Sequence, residues 1–246
     1  MKKVLFYTNQ FFGQIGGEAE AYQKPFIEQG ARGNAQAFVP LLEDAEIVET
    51  IVCGDNYYAE NMDEVKAFVE AQITEIKPDL IIAGPAFNAG RFGIACADIC
   101  KDAVQKMHVE AITGLYEENP AVEMYRKDIY ILKVGKSAAA MRKAVKLMAG
   151  FANKLLEGEK IGLPKEEGYY PKGKRVNVFH QKNGAERAMD MLLKKLKGEP
   201  YETELEISVY EKVKPAEGLD TLAGKKIALC TSGGIVAFGN PDHMPA

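Results

Sequence analysis

Short, continuously apolar runs alternate along the chain with longer segments of helical period. KKVLFYT opens the pattern at 2–8, followed by AEIVETIVC at 45–53, DLIIAG at 79–84, VEAITG at 109–114 and DIYILK at 128–133. Each is the length of a strand, and none shows the strict apolar–polar alternation of a half-solvated sheet. Strands covered on both faces read this way, as in a parallel sheet. Helical patterns lie between them. NMDEVKAFVEAQITEIKP repeats Val65, Phe68, Val69, Ile73 and Ile76 and stops at Pro78. FGIACADICKDAVQKM follows the third run. SAAAMRKAVKLMAGFANKLLEG follows the fifth, with Ser137 as N-cap and Gly158 as terminator. Strands and helices alternating at this density predict βαβ units with right-handed crossovers. The expected fold is α/β, a doubly wound, mostly parallel sheet of the Rossmann or flavodoxin-like kind.

The pattern changes after Gly158. The stretch 161–177 carries two prolines, three glycines and little periodicity, and reads as an ordered connection. NGAERAMDMLLKKLKGEP predicts one helix with Ala188, Met189, Leu192, Leu193 and Leu196 on a face, and TELEISVYEKV predicts a strand. KKIALCTSGGIV then mirrors the N-terminal KKVLFYTNQFFG, with two lysines, an apolar strand and a polar glycine turn. The predicted organisation is a first α/β domain over 1–158, a connection with a helix and a strand packing on it over 159–222, and the first strand and turn of a second α/β unit over 223–246.

Bulk properties narrow the function classes. The 246 residues hold 31 Lys and Arg against 35 Asp and Glu, a net charge of −4. A mildly acidic chain lacks the basic face that nucleic acid demands. No run approaches the roughly 18 apolar residues of a membrane helix. The N-terminal run is broken by Thr8, Asn9 and Gln10 and reads as a strand rather than a signal peptide, so a cytoplasmic protein is expected. Cys53, Cys96, Cys100 and Cys230 are too few for a disulfide framework. Three isolated histidines (His108, His180, His243) form no zinc signature.

In an open doubly wound sheet, ligands bind where the loops leave the carboxyl ends of the strands. After the first strand, Asn9 leads into a loop with Gly13, Gly16, Gly17 and Glu18. The spacing is neither a dinucleotide fingerprint nor a P-loop, yet its amides suit a small anion. After the third strand, GPAFNAGRFG brings Asn88 and Arg91 to a helix start, where amides and a guanidinium suit a carboxylate. After the fourth, Tyr116, Glu117, Glu118 and Asn119 set two carboxylates beside a ring, as a cationic nitrogen requires. Phe12, Phe87, Tyr125 and Tyr169 are further rings for such a cage. After the fifth, Ser137 opens a helix beside the same pocket. Plain alternatives stand beside each: a tight turn, a solvated arginine, an acidic surface loop. Together the loops describe a pocket for a small zwitterion, with no nucleophile poised by a base.

The same loops carry a resemblance. YTNQFFGQIGGE, GPAFNAGRFG, TGLYEENPAVEMY, KSAAAMRK, PKEEGYYPKGKRVN, ERAMDMLLKKLKGEPYETE and ALCTSGGIVAFGNPD together resemble the selenoprotein B subunit of the glycine/sarcosine/betaine reductase complexes, over essentially the whole chain. The resemblance implies an oxidoreductase that takes up glycine, sarcosine or betaine, cleaves its C–N bond reductively and passes a carboxymethyl group to the component A selenoprotein, leading to acetyl phosphate. It implies a partner subunit that carries a pyruvoyl group. Family members exceed 400 residues, and their selenocysteine lies in a U-G-T-C context in the later half, which is absent here. The chain is therefore expected to be a fragment, a split gene product or a truncated form. It would hold the substrate pocket, bind no cofactor itself and be inactive alone. Two other readings remain: a non-catalytic module that binds an amino acid or betaine, and, more distantly, a nucleotide-dependent α/β enzyme.

Overall fold

The computed structural model describes residues 1–173, 179–203 and 212–228. The chain divides into two units, Met1–Asn177 and Val178–Ala246.

The first unit is built on one six-stranded sheet: β1 (Lys2–Asn9), β2 (Phe26–Gln29), β3 (Ala45–Cys53), β4 (Leu80–Phe87), β5 (Glu110–Leu115) and β6 (Tyr130–Lys133), in the order β2-β3-β1-β4-β5-β6. All pairings are parallel except β2 with β3. This is the doubly wound α/β fold. All five predicted runs form strands. The chain runs from β1 outward to β3, then returns past β1 to β4. The order reverses between β1 and β4, so the ligand crevice of such a sheet is expected there.

The continuously apolar reading of the runs has its cause in the two layers that cover them. One face packs against α2 (Met62–Ile76), α3 (Gly90–Gln105) and α4 (Pro120–Tyr125), with Leu5, Tyr7, Ile81 and Phe92 in the core between. The other packs against α5 (Met141–Glu157), with Val4, Phe6, Ile82, Ile112 and Met148. From Val4 to Gln10 every residue is buried. Fully burying a large aliphatic side chain contributes about 1.5–3 kcal/mol, so a strand buried on both faces anchors the unit.

Three features depart from the sequence expectation. The β1–β3 connection contains no crossover helix. It holds β2 and tight 3-10 turns at Glu18–Glu20, Gly33–Ala37 and Val39–Leu41. A short α1 (Asp55–Glu60) precedes α2, and its Tyr58 hydroxyl donates to Asp98 of α3 at 2.9 Å. Lys66 of α2 ion-pairs with both Asp98 and Asp102, at 3.0 and 2.9 Å. These bonds fasten α1 and α2 to α3. Finally, Ser137 occupies the N-cap position of a 3-10 turn (Ala138–Ala140) that leads into α5, and its side chain makes no capping bond. The end of α5 is as expected, with Gly158 left-handed. A short α6 (Pro164–Glu167) follows, and Tyr169 bridges back to Leu132 of β6.

In the second unit, α7 (Gly184–Lys197) forms as predicted. Asn183 and Glu186 cap each other's backbone amides at its start, and Gly198 closes it. Its Met189, Leu192, Leu193 and Leu196 are exposed. Residues 204–211 of the strand expected at 203–213, and all of the second glycine turn with Cys230, lie outside the described residues.

Gly33 shows why the β1–β3 connection takes its course. Its φ is +59°, and a Cβ there would lie 1.9 Å from the Phe12 carbonyl oxygen. Gly33→Ala is therefore expected to destabilise the chain by about 2–3 kcal/mol in denaturant titration, through strain and displacement of the loop after β1.

Candidate functional site

The sheet's central strand ends in polar residues that are buried. Thr8, Asn9 and Gln10 have at most 4% of their surface exposed, and each must find partners. Thr8 Oγ1 donates to Asn34 Oδ1 at 2.9 Å, and Asn34 Nδ2 donates onward to the Gly84 carbonyl at 3.2 Å. Asn9 Oδ1 accepts from the Phe12 amide at 2.9 Å, turning the chain. Asn9 Nδ2 donates to Asp55 Oδ2 at 2.9 Å. Gln10 Nε2 reaches the same oxygen at 3.5 Å, and Gln10 Oε1 accepts from the Asp55 amide at 3.0 Å. Two carboxamides, from the last residue of β1 and the one after it, thus hold the carboxylate that opens α1.

Above this carboxylate lies a cavity of about 360 Å³, lined by Asn9, Gln10, Phe11, Phe12, Gly17, Glu18, Asp55, Arg91, Phe92 and the Ala89–Gly90 turn. It sits between the loop after β1 and the start of α3, at the reversal of strand order. Arg91 spans its mouth. Its Nη2 donates to Glu18 Oε1 at 2.7 Å, and its Nη1 donates to Asn56. The pair is open to water, with side-chain exposures of 48% and 69%. An exposed pair of this kind contributes only about 0–1 kcal/mol, so a ligand carboxylate can take Glu18's place at little expense. Phe12 forms the apolar wall, 5.8 Å from Phe92 and 6.0 Å from Phe87 between ring centroids. Phe87 carries a left-handed φ of +53°, an uncommon conformation for a bulky residue. Its carbonyl is held in place by the Tyr116 amide at 3.0 Å and by Asn119 Nδ2 at 3.1 Å.

The predicted residues divide between this cavity and its surroundings. Asn9, Gly17, Glu18 and Arg91 line it. Gly16 packs beside Glu20, and Asn88 is half-buried at the end of β4. Tyr116, Glu117, Glu118, Asn119 and Ser137 are outside the lining. Lys136 pairs with Glu118 at 3.2 Å and lies over the Tyr116 ring at 5.7 Å. Glu117 and Ser137 are exposed. Asn119 is buried and structural: it caps α4 by accepting from the Ala121 amide at 3.1 Å and donates to the Phe87 and Ala89 carbonyls. Gly93 admits it, since a Cβ there would lie 2.4 Å from Asn119 Nδ2. Of the proposed cage rings, Phe12 lines the cavity and Phe87 backs it. Tyr125 and Tyr169 are core residues.

Asp55, Gln10 and Phe11 were not foreseen as site residues. Asp55 lies 46 residues from Asn9, in the loop after β3, and no local motif marks it. Its one sequence signal is position, directly after a buried strand's carboxyl end. Burial pushes its carboxyl above the usual carboxylate range, against the opposing pull of Asn9, Gln10 and Arg91.

Among the described residues, nothing supplies a redox nucleophile. Cys53, Cys96 and Cys100 are buried. Desolvation pushes the Cys53 thiol up to about 12 and raises Cys96 and Cys100 as well. None has the lowered thiol pKa and access of a reactive cysteine. No group of three metal-ligating side chains occurs among these residues, and no described helix is long and apolar enough to cross a membrane.

The model of the family "Glycine/sarcosine/betaine reductase selenoprotein B" matches residues 1–246. The chain belongs to this family. It is 46% identical, over 98% of its length, to the glycine reductase complex component B subunit gamma of Carboxydothermus hydrogenoformans. It is 45% identical over the same share to the sarcosine reductase complex component B subunit beta of Peptoclostridium acidaminophilum. To the betaine reductase complex component B subunit beta of that organism it is 44% identical over 99%. In each case it spans 56% of the relative's length. No solved structure matches.

Two stability outcomes follow from the geometry. Asn119→Ala leaves α4 uncapped and removes the tether to the Phe87 and Ala89 carbonyls, and should cost roughly 1–3 kcal/mol in denaturant unfolding. Asp55 behaves oppositely. Its raised pKa means the folded state holds the proton more tightly than the unfolded chain. Its contribution to stability therefore falls as pH rises from the unfolded to the folded pKa, and stays level above both. Asp55→Asn should be more stable than the parent at pH 7, and the difference should shrink as the pH falls through the carboxylate range in thermal melts.

Proposed function

We propose that this chain is the substrate-binding part of component B of a glycine, sarcosine or betaine reductase, and that the cavity over Asp55 receives the substrate. The observation that carries the reading is the pairing of opposite charges across one small cavity. Arg91 is held by an exposed, exchangeable partner, and Asp55 is a desolvated carboxylate fixed by two carboxamides. A glycine-like zwitterion meets both. Its carboxylate replaces Glu18 on Arg91 in a bidentate contact. Its ammonium or methylated nitrogen faces Asp55, and the face of Phe12 accommodates N-methyl groups. The Asp55 charge, unfavourable in the empty cavity, becomes favourable once a cation is beside it.

In this reading the complete component B reductively cleaves the C–N bond and delivers a carboxymethyl group to the component A selenoprotein. A pyruvoyl-bearing subunit of component B is its partner. The reacting nucleophile lies outside the described residues. The buried cysteines favour binding without turnover for the isolated chain, which also accommodates a plain zwitterion-binding role.

Isothermal calorimetry with glycine, sarcosine and betaine tests the assignment. Binding of at least one is expected, with Arg91→Ala and Asp55→Asn each weakening it by roughly 1–3 kcal/mol. Glu117→Gln is the control. If it abolishes binding while Asp55→Asn does not, the cationic end of the ligand belongs to the β5 loop, as the sequence pattern alone suggested. Binding of none of the three compounds would remove the zwitterion reading altogether.

A further inference from the structure

The outer side of α5 breaks two local rules at one place. Its first turn holds no acidic residue, while Arg142, Lys143 and Lys146 put cations near the positive end of the helix dipole. Gly150 sits exposed in the middle of this 17-residue helix, with nothing within 4 Å of where its Cβ would be. Glycine inside a helix is worse than alanine by roughly 1 kcal/mol, and nothing in the backbone here requires it. Both irregularities open onto one groove between α5 and α6. This groove, about 460 Å³, has Leu147, Gly150 and Phe151 for a floor and Lys143, Lys146 and Lys154 along its rim.

The groove's own carboxylates are already engaged. Glu167 pairs with Lys154 at 2.8 Å and accepts from the Gly162 amide at 3.2 Å. Glu166 accepts from the Leu163 amide at 3.2 Å, at the start of α6. Lys143 and Lys146 have no partner among the described residues. Local rules are broken most often at functional or strained sites, and nothing among the described residues compensates these two.

We infer that this groove docks an acidic segment of a partner protein, with an apolar side chain laid over Gly150 and carboxylates on Lys143 and Lys146. Charge complementarity selects the occupant: the chain is acidic overall, so two unpaired cations flanking an apolar floor are a local exception. The missing side chain at Gly150 gives the segment room to approach the helix backbone. The inference is independent of the cavity over Asp55, which lies at the carboxyl ends of the strands.

Fluorescence anisotropy with a short labelled peptide of alternating glutamate and leucine tests it on the 246-residue chain. The peptide should bind in a salt-sensitive manner, and the matching lysine–leucine peptide should not. K143E/K146E should weaken binding roughly tenfold or more. Gly150→Ala should raise the melting temperature, and Gly150→Leu, with its helical circular dichroism retained, should block the peptide. Undiminished binding by K143E/K146E and Gly150→Leu would overturn the proposal, as would failure of the parent chain to bind. Displacement by inorganic phosphate at matched ionic strength would show a small-anion site instead. Self-association of the parent that K143E/K146E dissolves would show a second copy as occupant. Either result also overturns it.

Discussion

The buried polar end of β1 governs the arrangement of the site. Thr8, Asn9 and Gln10 lie deep in the sheet, where an unpaired amide or hydroxyl is costly. The surrounding loops are placed so as to satisfy them. Asn34 answers Thr8, the Phe12 amide answers Asn9, and the head of α1 answers both carboxamides. The connection between β1 and β3 thereby loops back over the strand ends instead of crossing as a helix. The cavity is the space left between that loop and α3.

The two charges across the cavity are prepared differently. Arg91 is exposed and held by Glu18 and Asn56, so its ion pair is weak and exchangeable. Asp55 is partly withdrawn from water and held by three hydrogen bonds, two donated to its carboxylate and one from its own amide. Burial works against its charge, and the Asn9 and Gln10 carboxamides work for it.

Strand and helix identity were largely legible in the sequence, because burial on both sheet faces leaves a continuous apolar run such as LIIAG and packing on one leaves a 3.6-residue stripe such as that of α2. The edge strand β2 was not. Its Phe26–Gln29 follows a proline and is half polar, and it forms only because the neighbouring β3 offers a free edge. In the site, Arg91 and Glu18 were visible as charges beside glycine turns. Their pairing was not, since it joins residues 73 apart. Asp55 was invisible for a related reason. Its significance comes from Asn9 and Gln10, and no local pattern announces that two carboxamides will turn toward it. Asn119 was misleading in the opposite sense: a polar residue in a promising loop, used up by capping and tethering.

The sheet order has a consequence for how the chain is made. β1 comes before both of its partners in the chain, and it pairs with nothing adjacent in sequence. Its neighbours are Ala45–Cys53 and Leu80–Ala83. β1 therefore leaves the ribosome with both edges open, and Thr8 and Gln10 at its end wait for Asn34 and Asp55. Loop closure over such distances is a slow, non-local event. Until β4 emerges, the central strand of the finished sheet is an exposed template for wrong pairings.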